Sequence, residues 1–144
     1  MKIPAPQDRL ADCVWLPRLL AKARMLQRGD LPAAYAERFC HPTGVDSLFL
    51  QYFHLRREDI LAAALQPDDA VVEWFCTRPE SSAAHIAKWN HLALNLGRPG
   101  YPMAERFSIA LATVYQHLDT TGMTTVFEVL EADDALSSQS DTGN

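Results

Sequence analysis

The chain has 144 residues, 48% apolar and 22% charged, which suits one soluble globular domain with a proper core. A net charge of −5 argues against a nucleic-acid binder, and six glycines argue against a glycine-rich nucleotide loop. Three widely spaced cysteines are not a disulfide framework and fit a reducing cytoplasm, with no signal-like run in MKIPAPQDRL and no stretch of about 18 uncharged apolar residues to span a membrane.

Residues 1–12 read as an extended arm restrained by Pro4 and Pro6. Val14 to Arg28 then carries the strongest signals in the chain. Pro17 stands in a first helical turn, where its missing N–H has no partner to lose, and Gly29 stands where helices stop. At about 100° per residue, Leu16, Leu19, Leu20, Ala23 and Leu26 share one face, and Arg18, Lys22, Arg24 and Arg28 share the other. No acid lies between Asp12 and Asp30. Arg18 with Lys22 and Arg24 with Arg28 are therefore like-charged i,i+4 pairs, each destabilising by a few tenths of a kcal/mol unless an anion is near. That anion is either an acid from elsewhere in the chain or an external ligand. The charge is unevenly spread: residues 1–28 hold six bases and two acids, and residues 119–144 hold six acids and no base.

A short helix through Pro32, Tyr35 and Arg38, capped by Asp30, precedes a loop at 41–44. Apolar residues at 45, 48, 49, 52 and 53, and then Ile60, Leu61, Ala64 and Leu65, recur at helical spacing. Pro67 ends the second of these helices, and Asp68 caps the next, which carries Val71, Val72, Trp74 and Phe75. Ser82 caps a longer helix running to Leu96 and closed by Gly97. Met103 to Leu118 shows a helical stripe, Gly122 a break, and Thr124 the cap of a last short helix at 126–130. No run alternates polar and apolar convincingly. The expected fold is all-α: a single domain of about seven short helices in an orthogonal array. It spans 13–134, with a disordered acidic and Ser-rich tail at 135–144.

The ordered blocks CVWLPRLLAKARM, VDSLFLQYFHLRREDILAAAL, DDAVVEWF and AAHIAKWNHLAL carry a resemblance. Leu16-Pro17-Arg18, Lys22-Ala23-Arg24, Trp74 and Trp89-Asn90 are its specific features. In these the chain resembles the bacterial family catalogued as domain of unknown function 5069, over roughly residues 3–97. The Asp-Glu-Gly-Arg close of that family reads Asp133-Asp134-Ala135-Leu136 here. The resemblance implies a small helical cytosolic protein and implies no activity.

No HExxH or CxxC pattern is present, so the sequence offers neither a metal site nor a cofactor. Glu58-Asp59 and Asp68-Asp69 stand at helix starts, where acids complement the dipole without doing chemistry. On the helix 82–96, Ile86, Trp89, Ala93 and Leu96 share a face flanked by Asn90 and His85. Two readings follow. In the first, the protein is a non-catalytic interaction or regulatory module that binds a protein partner. In the second, Arg18, Lys22, Arg24, His85, Trp89 and Asn90 converge on a pocket for a small anionic ligand. The readings separate on Arg18 and Lys22. As a functional surface they should be replaceable by Ala within about 1 kcal/mol; if they are paired with internal acids, the loss should be severe.

Overall fold

The computed structural model describes residues 2–142, with side chains as far as Ser137. The chain is all-α in class. Among the described residues it has eight α-helices, a 3-10 turn at Pro79–Ser81 and one two-stranded hairpin. No helix among them is long and apolar enough to cross a membrane. The residues gather into two compact units, Ile3–Trp89 and the chain from Asn90 onward with Lys2.

In the first unit, β1 (Arg9–Leu10) pairs antiparallel with β2 (Cys13–Val14), Arg9 opposite Val14 and Leu10 opposite Cys13. The arm expected at 1–12 is thus partly strand. Ala11 and Asp12 both have positive φ, 54° and 61°, as a tight hairpin turn demands. The sequence lacks the Asn-Gly or Asp-Gly signature of such turns, and that is why periodicity alone missed it. Trp15 follows, also left-handed at φ 76°, and begins α1 (Leu16–Arg28). At the other end Gly29 is left-handed, its N–H donating to Leu26 and that of Asp30 to Met25, the predicted glycine stop.

The remaining helices of this unit are α2 (Ala33–Arg38), α3 (Val45–Tyr52), α4 (Arg57–Ala63), α5 (Asp68–Cys76) and the first part of α6 (Ala83–Leu94). Asp68 lies inside α5 with Pro67 as its cap, while Ser82 caps α6 as expected, its Oγ accepting the His85 N–H at 3.2 Å. The core is aromatic. Phe49, Phe53, Phe75 and Trp89 are each fully buried. Phe49 meets Trp89 edge-to-face at 5.4 Å, and Phe53 meets Phe75 at 5.0 Å and 61°.

The second unit holds the end of α6, α7 (Ala104–Ala112) and α8 (Val126–Thr142). Its interior includes Leu96, Phe107, Val126, Phe127 and Val129. Gly97, at φ +96°, is where the chain turns: a Cβ there would sit 2.8 Å from the Phe107 ring. The stripe expected to run from Met103 to Leu118 is helical only to Ala112, after which Thr113 leaves helical geometry. The cap of α8 is Thr125 rather than Thr124. Thr125 Oγ1 accepts the Glu128 N–H at 3.3 Å, and Glu128 Oε1 accepts the Thr125 N–H at 3.1 Å, a reciprocal capping box. The tail expected at 135–144 overlaps the end of α8, and Gly143 and Asn144 lie outside the described residues.

Candidate functional site

Two of the four basic side chains of α1 turn inward. Arg18 and Lys22 are 3% and 5% exposed, although their helical phase puts them opposite the leucines. The reason is that α1 has buried residues on both faces between Leu16 and Met25, so its second face also needs partners there, and those partners are polar. Lys22 Nζ donates to both oxygens of Asp46, at 2.8 and 2.9 Å. Asp46 Oδ1 also accepts the Trp15 indole N–H at 2.8 Å, and Oδ2 accepts the Cys40 backbone N–H at 2.9 Å. This carboxylate, 1% exposed, therefore receives four hydrogen bonds. Two of its donors come from residues held at positive φ, Trp15 and Cys40 at 56°. Such backbone costs on the order of 1–3 kcal/mol and persists only when its surroundings fix it. Burial pushes the Lys22 ammonium below the usual lysine range, against the pull of Asp46.

Trp15 also carries cations on its ring, with Lys22 Nζ 4.9 Å and the Arg18 guanidinium 5.3 Å from the ring centre. Arg18 Nη1 donates to the Pro4 carbonyl at 3.1 Å, tying the N-terminal arm to α1. Arg24 reaches a different segment, the connection from α4 to α5. It donates to the Ala64 and Gln66 carbonyls at 3.1 and 2.9 Å and pairs with Asp68 at 2.9 Å. Arg28 pairs with Asp30 at 3.4 Å. Asp46, Asp68 and Asp30 thus supply acids to the basic face from within residues 3–89.

The other predicted site residues form a separate group. His85 stacks on Tyr52 with ring centres 4.1 Å apart. The two also exchange backbone contacts: the Tyr52 hydroxyl donates to the His85 carbonyl, and His85 Nε2 lies 3.1 Å from the Tyr52 carbonyl. Trp89 is 0% exposed, and its indole N–H donates to the Val14 carbonyl at 3.0 Å. A ring with no exposed surface is core and offers a ligand no face. Asn90 is 7% exposed and opens the second unit. Arg18 and Lys22 meet over Trp15, His85 and Trp89 meet around Tyr52, and Arg24 stands apart on the α4–α5 connection.

No group of three or more His, Cys, Asp or Glu among the described residues could hold a metal ion. Two of the three thiols, those of Cys13 and Cys40, are poor nucleophiles. Burial pushes Cys13 up strongly, and burial together with Asp46 raises Cys40 to about 11.

One cavity in this unit, of about 270 Å³, opens between α4 and α5. Ala63 and Val71 line it together with Trp74, Asp59, Gln66 and Arg78. Asp59 Oδ2 accepts the Arg56 N–H at 2.9 Å, a bond that lowers its carboxyl below the usual range and keeps it ionised. Arg78 Nη2 donates to the Phe53 and His54 carbonyls, each at 3.2 Å, and its guanidinium lies 5.6 Å from the Trp74 ring centre. Sequence reasoning missed this cavity. Asp59 reads as a helix-start acid, and no periodicity signals that Arg78 folds back onto α5. It also missed Asp46, a lone acid in the first turn of an apolar helix.

A family model described as Domain of unknown function (DUF5069) matches residues 2–136. No curated protein and no solved structure matches the chain.

Proposed function

The chain belongs to this domain-of-unknown-function family, and from that premise we propose that it is a non-catalytic interaction module whose ligand is a partner protein. The observation that carries this reading is the internal use of its reactive groups. Lys22 and Arg24 are held by Asp46 and Asp68, His85 is held by Tyr52, and the Cys13 and Cys40 thiols are raised out of the range of useful nucleophiles. Large apolar side chains, in contrast, face solvent on and just after α7: Ile109 is 57% exposed and Val114 65%. A phosphate-binding stripe along α1 is not supported, because Arg18 and Lys22 are buried within it. The three cysteines are free, which supports a reducing compartment, the cytoplasm of a bacterium in this reading.

The test is site-specific photo-crosslinking in cells, with the reactive residue at position 109, at 114, and at the exposed Glu37 as control. The expected result is one discrete protein adduct from 109 and 114 and none from 37. Ile109→Asp with Val114→Asp should fold with stability changed by less than about 1 kcal/mol, since both side chains are exposed, and should lose the partner. No adduct at 109 or 114, or the same adducts from 37, would sink the reading.

A further inference from the structure

The cavity between α4 and α5 carries an inference beyond partner binding. Its floor is apolar, with Ala63 and Val71 among its residues, and one wall is the half-buried Trp74. The volume, about 270 Å³, lies just under the roughly 300 Å³ at which pockets for drug-sized ligands begin, so an occupant is small. The rim holds one fixed charge of each sign. Asp59 is anchored by the Arg56 N–H and has the Arg56 guanidinium 3.6 Å away. Arg78 is anchored through Nη2 on two carbonyls, with Glu80 3.6 Å from the same nitrogen. Its Nε is buried and makes no hydrogen bond among the described residues, a donor left for a ligand to satisfy.

Each simpler ligand class meets an obstacle. A lone anion would face the Asp59 carboxylate. A lone cation would face the Arg78 guanidinium, which already covers the Trp74 ring. A purely apolar ligand would leave the buried Arg78 Nε–H without a partner. A small molecule carrying an ammonium and a carboxylate on one carbon, with an aliphatic branch, offers a partner to each of these features.

We propose that the α4–α5 cavity binds a free aliphatic α-amino acid as its zwitterion. The carboxylate meets Arg78, the ammonium meets Asp59, and the side chain lies on the floor by Ala63 and Val71 against Trp74. Gln66 at the rim can accept or donate to either end. Nothing in this depends on Ile109 or Val114, so it stands or falls apart from the partner-protein reading.

Variants of Arg78 would also lose the two carbonyl bonds, so the charges are tested on the ligand. The full chain is titrated by calorimetry with L-leucine, L-leucinamide, N-acetyl-L-leucine and N-acetyl-L-leucinamide. Leucine should bind, and removing either charge should weaken binding by about tenfold or more, the scale of one charge-assisted contact. Leucine should also change the tryptophan fluorescence, and Trp74→Phe should abolish that change, because Trp15 and Trp89 are buried elsewhere in the core. Three results would overturn the proposal: no heat at millimolar leucine, equal binding by any blocked form, or a fluorescence change that survives Trp74→Phe.

Discussion

Residues 3–89 bury charge; among the described residues from Asn90 onward, the buried polar side chains are the uncharged Asn90 and Thr125. In the first region Arg18, Lys22 and Asp46 are each 5% exposed or less. The second keeps its side-chain polar contacts nearer the surface: His117 lies 3.1 Å from Asp133, and Glu128 caps α8 from outside. The difference teaches where specificity is built. A buried ion pair is hard to satisfy in any packing but one, because each charge must lose water and regain partners. Asp46, with four donors from α1, from Trp15 just before it and from the loop ahead of α3, fixes the relation of those segments. From Asn90 onward the chain relies on turns and caps, each with a smaller and more local effect.

The largest test of that contrast is Lys22→Met. It leaves the Asp46 carboxylate buried beside two remaining donors and without its cation, so stability should fall by about 3–5 kcal/mol in denaturant unfolding. A loss below about 1 kcal/mol would erase the contrast and return the basic face to the role of a replaceable surface. Adding Asp46→Leu should recover only part of the loss. The charge is gone in the double variant, but the Trp15 indole N–H and the Cys40 N–H are left without their acceptor.

A second test lies at a tight spot after Asn90. Gly97→Ala puts a Cβ 2.8 Å from the Phe107 ring and 3.2 Å from Val126, at a φ of +96° that alanine resists. The combined overpacking and backbone strain should cost about 2–4 kcal/mol, read as lost hydrogen-exchange protection in α7 and α8. A loss above about 4 kcal/mol, in the upper range expected for Lys22→Met, would mean that apolar packing fixes this region as firmly as buried charge fixes the other.

The fold was largely legible, because helices announce themselves through apolar spacing and stops. Pro17, Gly29 and Ser82 each did what their residue type dictates, and the ordered blocks led to the right family. The candidate site was less legible, and α1 shows why. Periodicity sorts residues by angle around a helix axis but does not say whether the second face meets water or protein. Arg18 and Lys22 were correctly placed opposite the leucines, yet both are buried. The decisive residue, Asp46, lies 24 positions from Lys22, and nothing local distinguishes it from an acid that favours a helix start. The turn at Ala11–Asp12 was hidden for a similar reason: its positive φ values sit on an alanine and an aspartate, without the glycine that usually marks such a turn.

The smallest expected effect is also the cleanest check on the surface-cap side of the contrast. Glu128 accepts hydrogen bonds from the Thr125 hydroxyl and from the Thr124 and Thr125 N–H groups, the Thr125 hydroxyl having the largest influence, and its pKa is lowered below the ordinary 4.5. A carboxyl with a depressed folded pKa stabilises the native state above its unfolded pKa, and that stability is lost as pH falls through the folded value. Glu128→Gln keeps an acceptor but not the charge, so it should cost only about 0.5–1 kcal/mol near neutral pH. The two unfolding curves should converge as pH drops below the ordinary carboxylate range, where the native Glu128 is itself neutral. Glu128 is exposed, so the gap at neutral pH should also narrow with added salt. A gap that stays constant from neutral to acid pH would show that the side chain acts through shape alone. The capping charge would then be dispensable in a region whose described residues bury none.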